Sequence, residues 1–206
     1  MTTEPKKGRK HDQVLEGAHR VFLEHGFEGA SVDEIARAAQ VSKATLYSYF
    51  PTKESMFIAV ARAKYQSKTN FATEEMDFCS GPRACLSFAA ITIVNEFLTP
   101  FNRSVLRVAV AEAQRFPDLA KEFFEGGPQL VRATLTGYFK FAVERGDLAI
   151  EDLTLAADQF TEMCKAKHFM EFMLGVRETF TDAEKQAVAD AAVETFLARY
   201  GVAENT

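Results

Sequence analysis

Residues 31–53 read SVDEIARAAQVSKATLYSYFPTK. Ser31 and Glu34 stand at capping-box spacing: the hydroxyl can accept the N3 amide while the carboxylate reaches back to the N-cap amide. The spacing predicts a helix over 32–39 with Ile35 and Ala36 facing inward. Small Ala38 and Ala39 permit close packing. After a short connection at Gln40-Val41, Ser42 can cap a second helix over 43–50, and Pro51 stops it. Thr52 then caps a helix that starts at Lys53. Two short helices separated by a few residues are the arrangement of a helix-turn-helix.

Upstream, Val14, Leu15, Ala18, Val21 and Phe22 form the stripe of an amphipathic helix over 12–25. Gly26 suits a left-handed position after it, with Phe27 folding back as the apolar residue that follows. The remaining expected helices cover 53–77, 82–98, 103–116, 118–125, 128–145, 152–174 and 182–200. Pro82, Pro100, Pro117 and Pro128 sit at their boundaries. No strand-length alternation is present, so the expected fold class is all-α. It comprises an N-terminal three-helix helix-turn-helix domain and a larger C-terminal helical bundle. The expected division is a basic disordered arm over 1–10, a helix-turn-helix domain over 11–55 and a larger helical domain over 56–206. The arm, with Lys6, Lys7, Arg9 and Lys10 against Glu4, reads either as a solubilising tail or as a group near DNA phosphates.

The helix over 43–50 spans about 12 Å, which a major groove admits. Leu46 and Phe50 are its buried stripe. Lys43, Ala44, Thr45, Tyr47, Ser48 and Tyr49 remain exposed or at the rim, and they combine hydroxyl and ammonium donors with flat apolar area. Such groups suit phosphate and thymine-methyl contacts. Packing at the edge of a small core is the other reading of the two tyrosines. Lys53 and Thr52 open a helix whose first amides can also meet a phosphate.

This stretch, with Phe22-Leu23-Glu24-His25-Gly26-Phe27 before it, resembles the DNA-binding domain of TetR-family transcriptional regulators. Ala44 departs mildly from the Gly frequent there. The resemblance implies Ser31, Thr45, Tyr47 and Lys53 near phosphates, and Lys43, Ala44, Ser48 and Tyr49 near base edges. Arg107 to Ala120, Gly146-Asp147-Leu148, Asp152 and Ala156-Ala157-Asp158-Gln159-Phe160 resemble the AefR-like subgroup.

The chain has 206 residues with net charge −5, 3 Cys and 19 Phe. Residues 1–55 carry 8 Lys/Arg and 8 Asp/Glu and are neutral, so the acid lies away from the expected DNA face. Cys79, Cys85 and Cys164 lack paired spacing and read as reduced, buried thiols. No signal segment or long apolar run is visible, so a cytoplasmic protein without membrane association is expected. The resemblance implies that 56–206 is an effector-binding and dimerisation domain, with Phe71, Phe88, Asn95, Glu96, Glu112, Phe116 and Phe123 as pocket candidates, although aromatics at helical spacing are more often plain core and the polar residues also read as solvent-facing or capping groups. Leu153, Phe160, Met163, Met170, Ala187, Ala191 and Ala198 read as a dimer seam with close-packing Ala.

The four histidines show no metal-ligand spacing, and no Gly-x-Ser-x-Gly or phosphate loop is present. No enzyme activity, cofactor or metal is therefore expected. The expected function is a DNA-binding regulator, a repressor released from a double-stranded operator by a small apolar or amphipathic effector. The expected partners are the operator, a second copy as homodimer and that effector. A helical adaptor that uses its helix-turn-helix for protein contacts is the alternative.

Overall fold

The computed structural model describes residues 8–75 and 81–202, with side chains over 8–65 and 81–202. The helices in chain order are α1 (Arg9–Gly29), α2 (Val32–Ala38), α3 (Lys43–Tyr49), α4 (Lys53–Glu75), α5 (Pro82–Phe97), α6 (Pro100–Glu112), α7 (Pro117–Gly126), α8 (Pro128–Arg145), α9 (Leu153–Met163), α10 (His168–Leu174) and α11 (Asp182–Tyr200). No strand occurs among the described residues. No single helix among them is long and apolar enough to cross a membrane.

The chain divides into two compact units, and the division does not fall at residue 55. The first takes the described residues through Gln66 together with Ser104–Gly127; the second takes Ser67–Arg103 and the described residues from Pro128 onward. The first unit therefore recruits α7 and most of α6 to the helix-turn-helix. Its core holds Val14, Ala18 and Phe22 from α1, Ile35 from α2, Leu46 from α3 and Met56, Phe57 and Ile58 from α4. Gly26 breaks α1 at φ 67, ψ −176, so its φ is positive as expected while its ψ is extended. Phe27 folds back onto Phe22 and Phe57, with ring centroids 6.2 Å and 5.0 Å apart.

The second unit is built around Leu86, Ala90 and Val94 of α5, Phe139 of α8, Phe160 of α9 and Val193 and Phe196 of α11. Phe139 and Phe196 stack at 4.9 Å, and Phe160 meets Phe196 edge-on at 5.2 Å. Each of these rings contributes roughly 1.5–3 kcal/mol by leaving water. The Ala149 amide donates to the Tyr200 carbonyl at 2.8 Å, and the Val202 amide to the Asp147 carbonyl at 3.1 Å. These bonds tie the turn after α8 to the end of α11.

Three expectations are corrected. Helix α1 starts at Arg9, inside the arm expected over 1–10 and ahead of the helix expected over 12–25. The helix expected over 152–174 is two helices, α9 and α10, broken by a tight turn at Lys167 (φ 67, ψ −60). There the His168 amide donates to the Ala166 carbonyl at 2.8 Å. No Gly or Pro marks the place, so tertiary packing of buried Cys164, His168 and Phe172 overrides local propensity. Helix α6 starts at Pro100 rather than at residue 103 and ends at Glu112. Thr99 caps it, its hydroxyl accepting the Asn102 amide at 3.2 Å.

Helices α1 and α2 approach most closely at Gly17. A Cβ placed there would lie 2.6 Å from the Ala39 amide nitrogen and 2.7 Å from the Ala39 Cα. The neighbouring atoms are backbone, so they cannot swing aside. Gly17→Ala should lose about 1–3 kcal/mol of stability through overpacking, although Ala is the better helix former by about 1 kcal/mol. A urea titration checks this; a variant more stable than the wild type would show that the approach is looser.

Candidate nucleic-acid interface

Both N-terminal caps form as the sequence requires. Ser31 Oγ accepts the Glu34 amide at 3.2 Å, and the Ser31 amide donates to Glu34 Oε2 at 3.0 Å. The Ser31 hydroxyl also donates to that oxygen at 2.8 Å. These bonds hold the Glu34 carboxyl below its ordinary pKa. Ser42 Oγ accepts the Thr45 amide at 3.1 Å and lies 2.9 Å from Thr45 Oγ1.

The turn between the helices is a Schellman closure. The Gln40 amide donates to the Arg37 carbonyl at 3.1 Å and the Val41 amide to the Ala36 carbonyl at 3.0 Å. Gln40 sits at φ 53, a conformation that costs a non-glycine residue about 1–2 kcal/mol. Arg20 of α1 reaches across to donate to the Ala38 carbonyl at 2.8 Å, satisfying another open end of α2. Sequence reading missed Arg20 and Gln40. Arg20 and its partner lie 18 residues apart, and Gln is not a residue that announces a positive φ.

Leu46 is fully buried and anchors α3. Lys43, Ala44, Tyr47 and Ser48 are exposed, Thr45 and Tyr49 half-buried. Tyr47 has 46% of its surface open. Lys43 pairs with Asp33 Oδ1 at 2.6 Å, and the hydrogen bond and charge of Asp33 raise its pKa. The pair joins the start of α3 to the first turn of α2, both partners being more than half exposed. Several hydroxyls are already engaged: Ser31 donates to Glu34, and Ser48 donates to the Thr45 carbonyl at 2.6 Å. Lys53 is also committed. Its Nζ donates to the Ala30 carbonyl at 3.0 Å and lies 4.4 Å above the Phe27 ring. Its cationic end fastens the start of α4 to the segment between α1 and α2.

The other expected residues fall apart into the two units. Phe88, Asn95 and Glu96 belong to the second, Glu112, Phe116 and Phe123 to the first; the Phe71 side chain lies outside the described residues, as does Cys79. Asn95 is exposed, which corrects its expected place inside the bundle: on α5, the inward face is taken by Cys85, Leu86, Ala89, Ala90 and Val94. Glu96 is half-buried and accepts from Asn102 at 3.2 Å. Cys85 and Cys164 are buried thiols outside any disulfide, and burial pushes the Cys164 thiol up to about 12.

Phe160 is a second correction. It is fully buried in the chain's own core because its ring fills the space beside Phe139 and Phe196, so it is not available to a seam. Ala187, Ala191 and Ala198 of α11 are exposed, as is Met170, while Leu153 and Met163 are half-buried. A recess of about 510 Å³ lies in the second unit, lined by Met163, Ala166, Lys167, Ala187, Ala191 and Thr195 among others. None of the residues expected for the effector pocket lines it. Glu184 stands at its edge, its carboxyl drawn down to about 2 by the Arg177 guanidinium and the Thr181 cap.

Residues 14–60 match the family of bacterial regulatory proteins, tetR family, and residues 85–202 match the AefR-like transcriptional repressor, C-terminal domain. The HTH-type transcriptional repressor AcnR of Corynebacterium efficiens is 39% identical over 62 residues, 30% of this chain and 33% of AcnR. The match thus spans about a third of the length of the curated relatives that align with the N-terminal region. A crystal structure of a TetR-family regulator from Mesorhizobium loti superposes with TM-score 0.81 at 27% identity, covering 97% of this chain and 100% of that one. The flavonoid-responsive regulator FrrA superposes with TM-score 0.71 at 31% identity, covering 94% and 98%.

The geometry at Lys53 carries its own expectation. Lys53→Ala removes a charged hydrogen bond and a cation–π contact, so it should cost about 1–3 kcal/mol of stability irrespective of any ligand. Chemical denaturation of the DNA-free protein measures it, and an unchanged midpoint would show that the Ala30 bond contributes nothing.

Proposed function

The chain belongs to the TetR family of bacterial regulatory proteins, and from that premise we propose that it is a homodimeric repressor released from its operator by a small amphipathic molecule. DNA-binding regulation of transcription is the activity of the family. The observation that carries the reading is the outer face of α3: Lys43, Ala44, Tyr47 and Ser48 project from a capped helix whose Leu46 is buried. Lys43 and Tyr47 supply phosphate and base-edge contacts. Ala44 leaves room for a thymine methyl, and Thr45, Ser48 and Tyr49 complete the surface. Ser31 and Lys53 act by holding the helix-turn-helix in shape. A regulator of this kind works on DNA in the cytoplasm.

The proposed homodimer joins through the exposed Ala187, Ala191 and Ala198 of α11 and through Met163, Met170 and Leu153. Small side chains let a partner helix approach closely. Two-fold symmetry would then present two α3 helices to a near-palindromic site. The name of FrrA, responsive to flavonoids, supports a flat amphipathic effector. Glu112, Phe116 and Phe123 of the first unit, and separately Phe88 and Glu96 of the second, remain candidates for contact with it. Helix α4 begins four residues after α3 ends, so an effector that shifts α4 changes the separation of the two reading helices. A coupling of about 1–3 kcal/mol suffices for a 5–150-fold release.

Two variants test the reading. Tyr47→Ala should weaken binding to a duplex selected by the wild-type protein from random sequence by about tenfold or more, the worth of a hydrogen bond to a charged group. It should leave the melting curve in place. Equal affinity would remove Tyr47 from the surface. Ala191→Glu sets an unpaired charge in the proposed close-packed face, where burial costs several kcal/mol. Sedimentation should find a monomer with reduced operator affinity; an intact dimer would place the interface elsewhere.

A further inference from the structure

His11 is only 8% exposed at the start of α1. Among the described residues no cluster of His, Cys, Asp and Glu could hold a metal there, and the DNA reading makes no use of His11. Its surroundings are aromatic. The ring lies 5.2 Å from Phe50 at 34° and 5.9 Å from Tyr49 at 75°. Nδ1 stands 3.2 Å from Asp12 Oδ1. Phe50 is itself 5% exposed, so His11 rests on an immobile base and offers an edge-to-face contact to Tyr49.

Tyr49 needs such a wall. It is the last residue of α3, and Phe50 after it is extended at φ −132, ψ 106. Helical side chains lean over the preceding turn, which here carries the small Thr45 and the buried Leu46. Tyr49 is half-buried and keeps a minor part of its surface open to a ligand of α3. The geometry points to His11 as a positioning residue that holds the Tyr49 ring in one rotamer for base contact. This rests on the reading of α3 as the DNA-contacting helix. His11 touches no base itself. It removes from binding the cost of ordering the Tyr49 side chain.

The test compares His11→Leu, which keeps apolar bulk but removes the ring, with His11→Phe, which keeps the ring. The probes are a duplex selected by the wild-type protein from random sequence and a scrambled duplex of the same composition. His11→Leu should lose about threefold to tenfold in affinity for the selected duplex, the size of an aromatic pair and one ordered side chain. Affinity for the scrambled duplex and the salt slope should stay unchanged, since the phosphate contacts are intact. His11→Phe should bind like the wild type.

On a Tyr49→Ala background, His11→Leu should have no further effect. NMR couplings at Tyr49 χ1 should report one rotamer in the wild type and the Phe variant, and averaging in the Leu variant. If Leu at this position loosens the domain in thermal melts, His11→Gln takes its place with the same readouts. Equal behaviour of the Phe and Leu variants, or a loss that persists without the Tyr49 ring, would overturn the inference. If Tyr49→Ala weakens binding while His11→Leu does not, only the role of His11 fails. If Tyr49→Ala, Tyr47→Ala and Lys43→Ala all bind normally, the DNA reading of α3 fails with it.

Discussion

Burial of Leu46 is the constraint on which the exposed face of α3 depends. Helix α3 has 7 residues, far below the about 12–15 that a helix needs to persist alone in water. It exists because Leu46 is sealed into the core of the first unit and because Ser42 satisfies its first amides. Once Leu46 points inward, the helical period leaves little freedom: Lys43, Ala44, Tyr47 and Ser48 are turned out. The exposed chemistry is thus a consequence of where one leucine is buried.

The surface of α2 and α3 is more committed than its composition alone conveys. Ser31, Ser42 and Ser48 spend hydroxyls on caps and carbonyls, and Lys53 spends its charge on Ala30 and Phe27. Lys43 differs because its partner, Asp33, is solvated, so the pair contributes little to stability. The Schellman turn at Gln40 and the Arg20 bond to Ala38 then fix the angle between the two helices. These bonds hold a small apolar core in a single arrangement, which a base-reading helix requires.

What the sequence made legible is what short-range chemistry decides. The capping box at Ser31, the start of α3 at Lys43 and the Pro-led helices α5, α7 and α8 need only neighbours within one turn, and all are in place. The break at Lys167 escaped because it is enforced by burial on both sides of a segment with no local breaker. Asn95 escaped because its apolar neighbours on α5 do not say which way one residue turns. Phe160 matched the seam spacing, yet an aromatic of that size serves the chain's own core first. Lys53 was legible as important, but its partner at Ala30 lies 23 residues away, beyond any local pattern.

Helix α11 shows why one helix can carry two kinds of face. Val188, Ala189, Ala192, Val193 and Phe196 are buried within the second unit, while Ala183, Ala187, Ala191 and Ala198 lie open beside the recess or along its line. An exposed alanine presents little apolar area, so leaving these positions in water costs a single chain far less than exposing leucines would. The same small side chains would let a partner backbone come close, and packing then rewards many contacts at once. A face built this way tolerates the isolated chain, whereas larger apolar residues there would promote indiscriminate association.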